Sequence, residues 1–414
     1  MPLLQKGSRP DPVSAGAPGG MPPGHQHGPA ALVPELSRAD RRRSYDLLDF
    51  PMPTGREEDW RFTPLDRLAP LLRDTPSGSH LAIDTELPDG VTVSHITTAA
   101  ARELGAPPPQ DRAAALASAH TDHSGGVLHV QVPAEAELAE PVRVRFVGSH
   151  TDPHPDRIWG HLVLTVGRHA KAVVVLEHEG TTRLSELVSV LVGDGAELTL
   201  VTLQEWSEDA LHLAQHDVVV GRDATVRHVV VTLGGQVVRV STNITYAAPG
   251  GAVDAYGVYF ADSGQHLEHR LFVDHEAAHC RSHVEYKGAL QGQSARSVWV
   301  GDVLIRASAE GTDTYELNRN LVLTEGARAD SVPNLEIETG QIIGAGHASA
   351  TGRFDDEQLF YLQARGIRED DARRLVVRGF FADIINRIPV AELQGHLIQA
   401  VERELGAVTE ENPA

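Results

Sequence analysis

The spacing with the most chemistry in it is His275-Glu276-Ala277-Ala278-His279, a formal H-E-x-x-H. On a helix this pattern sets two imidazoles on one face for zinc, with the glutamate as general base. Its flanks, Leu271-Phe272-Val273-Asp274 and Ser282-His283-Val284-Glu285-Tyr286-Lys287, are strand-like instead. On a strand, residues i and i+4 share a face but lie roughly 13 Å apart, whereas zinc needs both nitrogens about 2.1 Å away. No H-x-x-G-x-x-H extension follows. A zinc peptidase therefore stands only as an alternative, to be tested by zinc content.

Gly344-Ala345-Gly346-His347-Ala348-Ser349 begins like a dinucleotide-binding turn. It lacks the third glycine and no βαβ unit surrounds it. There is no G-x-x-x-x-G-K-[ST] loop and no G-x-S-x-G elbow. His347 is the favoured metal-ligand candidate, because small neighbours in an expected loop leave its ring accessible. The one cysteine, Cys280, lies in a strand-like run, where free cysteines are commonly buried and inert. A single thiolate cannot hold an iron–sulfur cluster that takes four. The chain has 22 His, whereas lysine occurs only at Lys6, Lys171 and Lys287. Surface histidine accounts for that bias, with metal handling or pH response as the sharper reading.

The 57 acidic and 36 basic residues give a net charge of −21. That balance disfavours nucleic acid and anionic membranes, both of which attract Lys and Arg. No run of about 18 apolar residues is long enough to span a bilayer, and no apolar signal-peptide core follows Lys6 and Arg9. With one cysteine no intrachain disulfide forms, and the expected location is cytoplasmic.

Four regions must position these residues. Residues 1–30 are rich in Pro, Gly and Ser and are expected to be a disordered tail. Residues 31–124 read as mainly helical, with Pro-rich breaks, and Trp60 and Phe62 suggest a segment packed onto a neighbouring domain. Residues 125–350 alternate apolar and polar positions with many β-branched residues, as half-buried strands do. Within them a turn ending in Ala recurs at Ala170, Ala196, Ala224 and Ala252, with a fainter copy at Ala327. A period near 28 residues means a solenoid, with glycine expected to supply positive-φ corners. A β-sandwich is the ordinary alternative, but its turns recur every 8–12 residues or so. Residues 351–414 return to helix, starting at Asp355, with breaks at Gly366 and Pro389. The expected fold is mainly β: a right-handed parallel β-helix flanked by N-terminal and C-terminal helical regions. An enzyme of that architecture, such as a polysaccharide lyase, would need a Ca²⁺-binding acidic cluster and a basic residue in a groove.

Three segments carry a more specific likeness: Arg56–Leu65 (REEDWRFTPL), Val273–Gly288 continuing to Asp313–Leu323, and Ser331–Phe381. In wording and order they resemble the SufB/SufD family, scaffold subunits of the SUF iron–sulfur cluster assembly system, and the first segment resembles SufD members. The resemblance implies a non-catalytic subunit that pairs with a SufB-like subunit through the β-helices and with a SufC-like ATPase through the C-terminal helices. On those helices Phe360, Tyr361, Arg365, Leu375, Phe380 and Ile384 are the expected partner-binding residues. It implies a role in iron acquisition and cluster assembly, with no cofactor stably held by this chain alone and iron or a cluster formed at the partner interface. A homodimer is expected where the partner is missing. A SufB-like role is the alternative, disfavoured by the scarcity of cysteine. The family's C-S-H-G-A-T phrase falls on Ala345-Gly346-His347, so His347 inherits the metal-site position while Ala345 replaces the cysteine.

Overall fold

The computed structural model describes residues 41–149, 156–354 and 356–411. The expected 1–30 tail lies outside the described residues. Strands follow one another almost without interruption: β1 (Ala82–Glu86), β2 (Thr92–Ile96), β3 (Val127–Val132), β4 (Val142–Val147), β5 (Arg157–Val166), β6 (Lys171–Gly180), β7 (Arg183–Val192), β8 (Glu197–Trp206), β9 (Leu211–Val220), β10 (Thr225–Thr232), β11 (Val237–Tyr246), β12 (Ala252–Ala261), β13 (His266–His275), β14 (Arg281–Leu290), β15 (Arg296–Ile305), β16 (Asp313–Val322), β17 (Arg328–Ile337) and β18 (Gly344–Arg353). Even-numbered strands from β4 to β18 stack parallel in one sheet, and odd-numbered strands from β3 to β17 stack parallel in a second. Each coil is one strand of each sheet, which makes a parallel β-solenoid of about seven turns. β1 and β2 close one end by pairing antiparallel with β4 and β3. Those two strands fall inside the stretch expected to be mainly helical. Its helices are α1 (Leu65–Leu72), α2 (Thr98–Glu103) and α3 (Arg112–His120).

The corner repeat has a steric cause. A Cβ at Gly167 would sit 2.3 Å from the Ala134 backbone nitrogen, and one at Gly193 2.8 Å from that of Arg168. These glycines permit close stacking of coil on coil. The left-handed residue of each corner comes two positions later: His169, Gly195 and Asp223, at φ +56°, +64° and +53°. The expectation that glycine supplies the positive φ thus holds at Gly195 and at Gly250 (φ +84°) but not at His169 and Asp223. Ala170, Ala196 and Ala224 follow, fully buried; strand register places Gly251, one residue before the expected Ala252, and then Cys280 next in the series. Cys280 is therefore a small corner residue. Its thiol faces the carbonyls of Ala278 and Ala248 at 3.5 and 3.7 Å, and burial raises its pKa. Ala327 precedes β17 and so belongs to the other corner of the coil, not to this series.

The middle strands of both sheets are buried on both faces, as β7, β13 and β15 are along nearly their whole length. Inside, Val174, Leu176, Val188, Leu200, Val218 and Val230 belong to one long core. The outer face of the first sheet packs under the C-terminal helices α4 (Asp356–Gln363), α5 (Glu369–Ile385) and α6 (Ala391–Glu411), with Val201, Val229 and Phe260 against Phe381, Ile384 and Leu397. On the second sheet Leu211, Leu213 and Val237 pack with Trp60, Leu68 and Leu71.

Trp60 is fixed by charge as well as by burial. The Arg239 guanidinium lies 4.0 Å from its ring centroid and 3.4 Å from Glu268. Glu268 also takes Arg270 at 3.2 Å, His266 at 3.2 Å and a hydrogen bond from the Thr63 hydroxyl at 2.8 Å. Burial opposes its charge, but the His266 hydrogen bond and the two arginines outweigh it and hold the carboxyl well below the usual range. Glu268→Gln removes the carboxylate that Arg239 and Arg270 share and leaves them only Asp111 and Asp59; it should cost about 3 kcal/mol, the low end for a broken buried pair, read as a shift in the urea midpoint. A loss under about 1 kcal/mol would show that this cluster does not anchor the N-terminal segment.

Neutral imidazoles are buried as well, those of His228, His269 and His275 in the lumen and that of His161 beneath the N-terminal helices. Burial pushes His161 and His228 down to about 4 and His269 and His275 down to about 3. The unfolded chain takes up protons at these positions below pH ~6.5 while the folded chain does not. Their stabilising contribution is thus complete above pH ~6.5 and is lost as pH falls from there toward the folded values. The four together withdraw roughly 5 kcal/mol by pH ~5.5, comparable to a whole domain's stability. The thermal midpoint should drop steeply between pH 7 and 5.5, and His228→Leu should flatten the slope. An unchanged midpoint over that interval would contradict the burial of these rings.

Candidate functional site at the open end of the solenoid

β17 and β18 are the last strands of their sheets. Among the described residues no strand pairs with their outer edges, and a bare edge is a template for another chain. His347 lies on β18, an edge strand, and not in the loop expected from its glycines. Its side chain is exposed. It stands in register with Glu316 of β16, and parallel in-register residues share a face. Glu316 is buried on the lumen side, with neither carboxylate oxygen hydrogen-bonded to any described residue. Burial first and the nearby Asp302 second push its pKa well above the usual carboxyl range. Beneath them a polar set spans the lumen: Ser331 donates to Asn318 at 2.7 Å, Asn318 to the Tyr259 hydroxyl at 3.0 Å, and Asn320 to Ser331 at 2.9 Å. The open end thus presents an accessible imidazole over a desolvated carboxyl group, a pairing of ligand types suited to a divalent cation. Sequence reasoning found His347 and missed Glu316. The signal was its place two residues before Asn318 in an alternating strand, which puts both on the inward face.

The H-E-x-x-H residues do not converge. His275 is buried, contacts the Ser282 hydroxyl at 3.0 Å and stacks on Tyr246 with centroids 4.8 Å apart. His279 is exposed in a left-handed corner at φ +59°, and Glu276 pairs with Arg306 at 3.5 Å. The Gly344–Ser349 stretch is strand, which leaves no dinucleotide turn.

The expected partner-binding residues divide. Phe360, Tyr361 and Leu375 are 71%, 56% and 49% exposed, and Arg365 lies over the Tyr361 ring at 4.6 Å. Ile384 is instead fully buried against the first sheet. Phe380 is partly buried in the same core, with the Lys287 ammonium 5.4 Å from its ring. The two were grouped with the others because helical spacing marks an apolar stripe without saying which stripe faces the sheet. A separate group of ligand-type side chains, His178, Glu186 and His212, lies buried further along the lumen. No described helix is long and apolar enough to cross a membrane.

The family model for the SUF system FeS cluster assembly SufBD core domain matches residues 149–380. The chain is 48% identical to an iron–sulfur cluster assembly SufBD family protein of Mycobacterium leprae (strain TN) over 376 residues, covering 87% of this chain and 93% of that one. A SufBD family protein of Mycobacterium tuberculosis (strain ATCC 25618 / H37Rv) is 49% identical over 371 residues, with 87% and 91% covered. The iron–sulfur cluster assembly protein SufD of Escherichia coli (strain K12) is 24% identical over 391 residues, with 87% and 90% covered. A solenoid of stacked coils flanked by helices, matched over most of its length by these proteins, places this chain in the SufBD family of iron–sulfur cluster assembly proteins.

Proposed function

We propose that this chain is a SufD-like scaffold subunit, which pairs end to end with a SufB-like subunit and docks a SufC-like ATPase on its C-terminal helices. The observation that carries this reading is the pair of open sheet edges at β17 and β18 with His347 between coil and solvent. A second solenoid continuing those sheets would satisfy the bare backbone groups and enclose His347 and Glu316 in a shared interface. Iron or a nascent cluster is then the cargo of that interface, not a cofactor of this chain. Ala345 stands where a thiolate would be, so His347 contributes imidazole alone and the thiolates must come from the partner. The role is organising and non-catalytic. The exposed Phe360, Tyr361 and Leu375 offer the apolar anchors, with Arg365 beside them, that a docked protein would cover.

Co-expression with SufB-like and SufC-like subunits, followed by size-exclusion chromatography and iron and sulfide analysis, tests the assignment. A stable complex that gains a cluster only with this chain present is expected; a chain that elutes alone, with zinc or an activity of its own, would overturn it. His347→Ala should keep the complex intact and lower its cluster content several-fold, and unchanged content would remove His347 from the site. Phe360→Ala with Tyr361→Ala should release the ATPase while the SufB-like subunit still co-elutes. Retention of the ATPase would move its docking face elsewhere.

A further inference from the structure

Inside the solenoid, three strands bring ligand-type groups to one point. His178 comes from β6, Glu186 from β7 and His212 from β9, with Trp206 of β8 alongside. One nitrogen or oxygen of each of the first three lies within 4.8 Å of the others, and all three residues are buried. His178 Nε2 is 3.3 Å from Glu186 Oε2, and so is His212 Nε2. Yet Glu186 Oε2 and His212 Nε2 lack the alignment of a hydrogen bond with any described residue. Polar atoms this deep are ordinarily satisfied, and leaving them unpaired costs about 1–3 kcal/mol each. Three unsatisfied or weakly satisfied donor atoms aimed at one point are what a bound cation would repair.

We infer that His178, Glu186 and His212 form a buried binding site for one divalent first-row transition cation, distinct from the open end of the solenoid and independent of the scaffold reading above. Two imidazoles and one carboxylate are a donor set common to zinc and ferrous iron. His178 is already oriented as a ligand: its Nδ1 hydrogen-bonds the Leu203 carbonyl at 2.9 Å, which turns Nε2 toward the centre. Glu186 keeps its charge in spite of burial. Desolvation raises its pKa, but the two imidazoles beside it, His178 first, outweigh that and hold the carboxyl well below the usual range. A cation there would lie between His178 Nε2 and this carboxylate. His212 needs one adjustment. The Trp206 indole, which can only donate, gives its N–H to His212 Nδ1 at 3.1 Å and so places the imidazole proton on Nε2. Ligation at Nε2 moves that proton to Nδ1 and breaks the Trp206 contact. Glu186 also borders a cavity of about 80 Å³, shared with His161, Ile158 and Phe146, which reaches Ile83 and His95 at the capped end.

The site predicts its own reporter. Trp206 lies 5.3 Å from the His178 ring and 5.5 Å from the His212 ring, so Co²⁺ bound between them should quench its fluorescence. The full chain, stripped with chelator and titrated with Co²⁺, is expected to bind one ion per chain. It should show the visible d–d absorption of a low-coordinate nitrogen–oxygen site together with loss of tryptophan emission. His178→Gln and Glu186→Gln, with folding checked by circular dichroism, should each weaken binding at least tenfold, whereas His347→Ala should not alter it. Trp206→Phe should retain the ion and lose most of the quenching. The inference is overturned if the unaltered chain takes up no Co²⁺ at micromolar concentration. It is also overturned if binding survives Glu186→Gln unchanged, or if His347→Ala abolishes it. The spectrum of the unaltered chain decides the matter even if a substituted chain fails to fold.

Discussion

Every coil of this protein depends on the coil next to it. The strands hydrogen-bond only to strands one turn away, so a coil in isolation has neither backbone partners nor a covered core. This constraint explains the corner glycines, whose missing Cβ lets one turn settle onto the last. It also explains the opposite treatment of the two ends. At the N-terminal end β1 and β2 reverse direction and pair antiparallel, which ends the stack. At the C-terminal end no described residue pairs with the outer edges of β17 and β18, the arrangement that a continuing solenoid would need.

The same stacking sets the chemistry of the interior. Inward positions recur every second residue, and most are Val, Leu or Ala. A polar residue placed in this row is desolvated with few partners. Glu316, Glu186 and the imidazoles of His216 and His228 are all buried there with unpaired ring or carboxyl atoms. Outward positions face helices, and polar groups there are satisfied in pairs, as Glu268 is by Arg239 and Arg270. A charge buried on the outside therefore anchors a neighbouring segment, while one buried on the inside marks a place where a ligand or proton belongs.

Much of this architecture was legible in the chain. Alternation of β-branched residues over 125–350 and the Ala170–Ala252 period gave the solenoid, and Gly366 (φ +86°) does follow the first C-terminal helix. Three things were not legible. The capping strands β1 and β2 are five residues each and mostly exposed, so they carry no apolar alternation. His347 sits among glycine and alanine, which favour loop locally, and only pairing with β16 makes that segment a strand. The grouping of His178, Glu186 and His212 depends on which strands are neighbours across the lumen, which sequence spacing does not reveal. Cys280 was legible as well: its strand-like run marked it as buried and inert, and its place in the corner series makes it a packing residue.

The central claim is that the bare edges of β17 and β18 form the partner surface. Amide hydrogen exchange of the chain, alone and bound to a SufB-like subunit, tests it most directly. The account predicts that residues 328–353 exchange rapidly in the free chain and become strongly protected in the complex, with little change at β1 and β2. A stable complex in which 328–353 stays unprotected would contradict it.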